Sequence, residues 1–166
     1  FGGYALLADD LEAETERMQG RGLNVAMRPP GGRLRPDGEE LRWRSAMFEN
    51  VMTPFFMQDD TPRNLRVPDT ADKTTHSNGV VGINSIEVAT SELETGIDRY
   101  QDILGHEAHS RRKNDAIFKG SGFDLRLSAN PKLDADRLIV LSFKAGENRS
   151  LDKTLTHGAE IQLVKI

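Results

Sequence analysis

The segment Asp9-Asp10-Leu11-Glu12, with Arg17 and Gln19 after it, returns 82 residues later as Ser91-Glu92-Leu93-Glu94 with Arg99 and Gln101. Similarity at a fixed offset is the mark of one supersecondary unit used twice. Each copy follows an apolar run, 4–8 in the first and 83–88 in the second. Each opens on a capping residue with Glu three positions on (Asp9 with Glu12, Ser91 with Glu94) and closes on glycine, at Gly20 and Gly22 or at Gly105. Two small units that cannot each close a core can close one together, and the seam between such units is where ligands usually sit.

Around these helices the text alternates as strands do. Strand signals lie at 3–8, 41–48 and 53–58, with a weaker one near 24–28, so the first copy reads strand, helix, strands. The second copy has strands near 82–89, 114–119, 123–129, 137–144 and 159–165, and a helix over 92–104 carrying Leu93, Ile97, Tyr100 and Leu104 on one face. The segment from Asp59 to Asn78 is polar, contains Pro62 and Pro68, follows neither period and reads as a linker. Segments 106–113 and 145–157 read as polar loops. The expected organisation is a first module over 1–60, a linker over 61–79 and a second module over 80–166, together one domain. The expected fold class is α+β: two βαβββ modules forming a cupped mixed sheet or barrel with the helices outside.

A net charge of −4 gives no electrostatic reason to expect nucleic acid or an anionic membrane as partner. No apolar run reaches the roughly 18 residues of a membrane span. The chain has no cysteine, which removes disulfides, thiolate nucleophiles and cysteine-bound zinc and fits a reducing compartment, so the cytoplasm is the expected location. It opens on Phe1 directly before Gly2-Gly3-Tyr4, as a chain would that begins inside a larger protein.

The βαβββ module used twice is the building unit of the vicinal oxygen chelate superfamily. The run Gly3-Tyr4-Ala5-Leu6, Asp9-Asp10-Leu11-Glu12 and Gly22-Leu23 is followed by Arg33-Leu34-Arg35-Pro36-Asp37-Gly38 and Leu41-Arg42-Trp43-Arg44. Pro54-Phe55-Phe56-Met57-Gln58 and His76-Ser77-Asn78-Gly79 come next. In this order they resemble the glyoxalase-like domain proteins, a bacterial branch of that superfamily, over about the first 105 residues. The resemblance implies a further module before Phe1, with an Asp-His pair on its first strand and a Glu on a later one. It also implies lyase, isomerase or dioxygenase chemistry, and a divalent metal held by a His on a module's first strand and a Glu on its last.

At the matching positions this chain has Gly3 and Ser85 where His is expected, and Gln58 and Gln162 where Glu is expected. Hydroxyl and neutral amide oxygens are poor replacements for imidazole and carboxylate. No metal or other cofactor is therefore expected within this chain, and a divalent ion only where residues before Phe1 supply it. Glu87 and Glu160 are the remaining acidic candidates. The four histidines, His76, His106, His109 and His157, fall in predicted loops or linker, and nothing completes a ligand set around His106 and His109.

What remains is a polar face. Alternation puts Phe56 with Gln58 towards the cavity and Phe55 with Met57 towards the helix; Ser85, Glu87 and Gln162 likewise face inward, against Ile86 and Val88. Glu87, buried, could act as general base with a raised pKa, or be a structural partner of an arginine. Arg42 and Arg44 share one face of the 41–48 strand with Trp43 on the other; if Trp43 packs under the helix, both reach the cavity and clamp a ligand's anionic end. The alternative is that Asp37, Glu39, Glu40 and Glu49 neutralise them. The expected partner is a small polar or anionic molecule, bound by Arg42, Arg44, Phe56, Gln58, Ser85 and Gln162, with Glu87 catalytic; a homodimer is left open. The alternative is a metal-free binding or sequestration protein without catalysis.

Overall fold

Asp10, in extended conformation, caps the first helix by accepting the Ala13 N–H at 3.0 Å. The cap is thus one residue later than Asp9, and Glu12 is left free to reach a neighbouring strand. Leu11, Thr15 and Met18 recur at the spacing that puts them on one buried stripe, and Gly22 ends the helix at φ +83°. The second helix starts after Glu92, not Ser91, with no side-chain cap, and ends at Gly105 in the left-handed conformation. Its buried stripe is Gly96, Ile97, Tyr100 and Ile103.

The computed structural model describes residues 3–49 and 54–166; the start of the 53–58 strand signal lies outside them. The chain divides into two units, Gly3–Lys73 and Thr74–Ile166. The first contains β1 (Ala5–Leu7), α1 (Leu11–Gly20), β2 (Val25–Met27), β3 (Gly31–Leu34), β4 (Glu40–Phe48) and β5 (Phe55–Asp59). Two short helices, α2 (Arg63–Arg66) and α3 (Ala71–Thr74), stand where the sequence reads as linker. Strand order is β1-β5-β4-β2 with β3 also on β4; β1 and β5 are parallel and the other pairs antiparallel. β2 and β3 pair with successive parts of β4 and are separated by Pro29-Pro30, which have no N–H to give a ladder.

The second unit contains β6 (Gly82–Thr90), α4 (Leu93–Leu104), β7 (Ser110–Arg111), β8 (Asp115–Lys119) and β9 (Asp124–Ala129). Here the order is β6-β9-β8-β7 with β6 and β9 parallel, which is the order of the first unit. The strands after the two helices therefore follow one plan, βαβββ, complete in the second copy at Ala129. Three more strands, β10 (Arg137–Ala145), β11 (Arg149–Ser150) and β12 (Glu160–Lys165), extend the sheet: β10 runs antiparallel to β6, β12 parallel to β10, and β11 antiparallel to β12. This last group again pairs its first strand parallel with its last, now without a helix. The fold class is α+β, with two mixed sheets.

In the second unit Ile86, Val88, Ala116, Phe118, Leu125 and Leu127 form the face buried with Ile97, Tyr100 and Ile103. In the first, Val25, Ala46, Phe48 and Phe56 are buried with Leu11 and Met18. Among the described residues no helix is long and apolar enough to cross a membrane.

Candidate functional site

On β5 the structure reverses the expected faces. Phe56 is 6% exposed on the α1 side, paired with Leu6 and Ala46, while Phe55 and Met57 are half-buried on the opposite face. Gln58 follows Phe56 to the helix side, where its Oε1 accepts the Leu11 N–H at 2.8 Å. It satisfies one of the donors that a helix start leaves unpaired. Because the side-chain period of a strand is two, a difference of one residue exchanges every side chain between faces.

Trp43 belongs to the face away from α1, so Arg42 and Arg44 lie on the helix side of β4, again opposite to the arrangement that would bring them to a cavity. Arg44 donates from Nε to Asp60 at 2.8 Å and from Nη1 to Glu12 in the first turn of α1. The hydrogen bond to Asp60, more than that to Glu12, holds its guanidinium pKa above the ordinary value. Arg42 is 64% exposed and pairs with Glu40 at 2.7 Å, which lowers the Glu40 carboxyl. Neither guanidinium is free to clamp an anion.

Gln58 also lines a hollow of about 430 Å³ whose rim carries Asp9, Asp59 and Asp60. Asp59, 8% exposed, accepts from Arg66 at 2.5 and 2.8 Å and lies 3.5 Å from Arg63, so the end of β5 is tied to α2. The Arg66 hydrogen bonds outweigh burial and hold the Asp59 carboxyl below its ordinary range.

The second unit places its residues as the alternation implies. Ser85 and Glu87 point away from the Ile86 and Val88 face. Across the strands Ser85 is opposite Ser142, and Ser142 opposite Gln162; Glu87 stands between Arg126 on β9 and Val140 on β10, and Val140 is opposite Glu160. One sheet face therefore carries Ser85, Glu87, Arg126, Ser142, Glu160 and Gln162. Ser85 and Ser142 join their hydroxyls at 2.6 Å, and Asn84, brought to this face by an irregularity in the β6–β10 ladder, donates to Ser142 at 3.1 Å.

Glu87 is half-buried and has no ion-pair or hydrogen-bond partner among the described residues. Its neighbour Arg126 comes no closer than 3.9 Å to Asp115, whose Oδ1 is buried without a hydrogen bond. Glu160 is occupied: Lys153 donates at 2.9 Å and Gln162 at 3.0 Å, which lower its pKa in that order. Arg126 and Ser142 were not singled out from the sequence, although the alternation of Leu125 and Leu127 contains the signal for Arg126. Arg42, Arg44, Phe56 and Gln58 belong to one unit; Ser85, Glu87 and Gln162 to the other.

Donors on this face do not fit a divalent transition metal. They are hydroxyls, an amide engaged by Glu160 and carboxylates from separate strand pairs, and among the described residues no group of three His, Cys, Asp or Glu is placed to hold an ion.

No curated protein matches the sequence. Among solved structures, a hypothetical protein from Staphylococcus aureus matches over 100% of this chain and 66% of its own, with TM-score 0.80 and 14% identity. The chain thus spans just under two thirds of that protein's length, and at this identity the likeness is one of fold. A methylmalonyl-CoA epimerase from Mycobacterium tuberculosis matches over 58% of this chain and 95% of its own at TM-score 0.47 and 15% identity. A Streptomyces coelicolor methylmalonyl-CoA epimerase variant in complex with 2-nitronate-propionyl-CoA matches over 52% and 97% at 0.42 and 15%. The family model described as "Glyoxalase-like domain" matches residues 1–104, more than half of the sequence. This match shows that the chain, with the βαβββ order in both units, belongs to the glyoxalase-like domain family.

Proposed function

We propose that the polar face of the β6–β12 sheet binds a small polar organic molecule and that Glu87 takes a proton from it, as a base in an isomerase or lyase reaction. The observation that carries this reading is Glu87 itself. Half-buried carboxylates are ordinarily paired, because an unpaired charge loses solvation and gains nothing in exchange. Here the carboxylate is unpaired beside Ser85, Ser142 and the loosely held Arg126. Arg126 can neutralise charge that develops on a carbonyl oxygen once the proton leaves, and the serine pair can orient the ligand through hydroxyls that both donate and accept. No step in this reading passes through a metal.

The second reading, binding without catalysis, is favoured by the donor set, which lacks the imidazole and carboxylate ligands of the superfamily's metal enzymes at Ser85 and Gln162. Ligand-detected NMR with small hydroxy and oxo acids, followed by proton–deuterium exchange at their acidic carbons, tests both. Exchange that Glu87→Gln abolishes supports the base. Binding without exchange supports sequestration. Calorimetry with zinc, nickel, manganese and iron is expected to show no sub-micromolar site; one mapped to Glu87 or Glu160 would contradict the metal-free reading.

A further inference from the structure

Arg137 opens β10 with no ion-pair or hydrogen-bond partner among the described residues. The nearest acidic residue in sequence, Asp136, is buried and directed to Arg99 at 3.2 Å, so it does not neutralise Arg137. Arg137 lines a hollow of about 310 Å³ together with Leu138, Ile139, Lys153, His157 and Glu160. Arg137 and Lys153 against the single carboxylate of Glu160 leave a positive excess in the hollow. Leu138 and Ile139 add apolar surface. A space of this size is at the lower end for small-molecule sites and suits a compact ligand.

His157 is the one non-glycine among the described residues with positive φ, at +52°. Such a conformation costs energy for a residue with a Cβ and persists where the surroundings over-determine it. They do here: Gly158 N–H donates to the Lys153 carbonyl at 2.7 Å, and the Thr156 hydroxyl to the Ala159 carbonyl at 2.5 Å. Glycine would take this position without strain, as it does at the next residue, Gly158 at φ +84°. Imidazole in place of glycine thus adds a hydrogen-bonding side chain to a hollow that is also lined by the unpaired Arg137.

We propose that this hollow between the start of β10 and the 153–160 segment binds a short-chain carboxylate, with Arg137 and His157 holding the carboxylate and Leu138 and Ile139 covering its hydrocarbon part. The site stands apart from the role assigned to Glu87 and does not depend on it.

The test is an amide-shift NMR titration of the 166-residue chain with butyrate, with acetate as the headgroup-only probe. Butyrate is expected to saturate, to move the amides of 137–139 and 157–160, and to bind several-fold more tightly than acetate because it buries two more methylenes. Arg137→Ala should weaken butyrate at least about tenfold, the loss of a charge-assisted pair. His157→Gly should melt no lower than the parent, since it relieves the backbone, yet bind butyrate more weakly. That variant separates lost binding from lost folding. Lys132→Ala, which removes a surface charge elsewhere, should change nothing. Equal affinity for acetate and butyrate, shifts scattered over other cations, no saturable shift, or unchanged affinity in both site variants would each overturn the proposal.

Discussion

Gln58 accepts the Leu11 N–H at the start of α1, so replacing it with Ala is expected to destabilise the first unit by about 0.5–2 kcal/mol, the range for a lost helix-start acceptor, and urea titration checks it. Ser85 and Glu87 alternate with Ile86 and Val88, so the period of two chooses a face, and the structure has the same one. Phe56 sits in Phe55-Phe56-Met57, which is apolar on both faces, and Gln58 follows on the face of Phe56; the pattern there cannot choose, and the helix took Phe56. Asp59 gives a pH prediction. Its folded pKa is lowered by Arg66, so the stabilisation is present above the unfolded value of about 4 and is lost as pH falls through the folded value below it. An Asp59→Asn variant should melt lower than the parent at pH 7, and the gap should close in acid below about pH 4. A gap unchanged down to pH 2 would show that the carboxylate is not stabilised by its charge.

Elements were legible where they carry their own pattern. Both long helices and the strands β4, β6, β8, β9, β10 and β12 stand close to their sequence signals. The short strands β3, β7 and β11 had none, because Gly31-Gly32 and two-residue bridges are decided by the strand they pair with. Close packing decides the rest. α4 approaches β6 where Gly96 meets Thr90: a Cβ on Gly96 would lie 2.9 Å from the Thr90 methyl. Helix propensity alone would make Gly96→Ala stabilising by about 1 kcal/mol. Overpacking a buried contact costs about 1–3 kcal/mol, and Thr90, 1% exposed, has no room to move, so the clash should win. The expected outcome is a lower melting temperature for Gly96→Ala, recovered in part when Thr90→Ser removes the methyl. A Gly96→Ala variant that melts higher would mean that α4 does not sit this close.

For the whole molecule, the 82-residue offset carried the architecture, since both copies have the same strand order around equivalent helices. The β10–β12 group was legible as strands but not as a further repeat of the pairing plan, because it has no helix, cap or closing glycine to mark it. It is also the part that completes the polar face: Ser142, Glu160 and Gln162 come from β10 and β12 and meet Ser85 and Glu87 on β6. Every ladder of the larger sheet closes within residues 74–166. That segment, produced alone, is therefore expected to unfold cooperatively in urea; a gradual, non-cooperative loss of structure would show that the sheet needs the first unit. Amide-shift mapping of the whole chain against a panel of small hydroxy and oxo acids reads out whether the polar face of that sheet binds a ligand. The result expected is a saturable ligand whose shifts centre on Ser85, Glu87, Arg126, Ser142 and Gln162, with affinity altered by Glu87→Gln. Shifts centred instead on Gln58, Asp59 and Asp60, unaffected by that substitution, would contradict it.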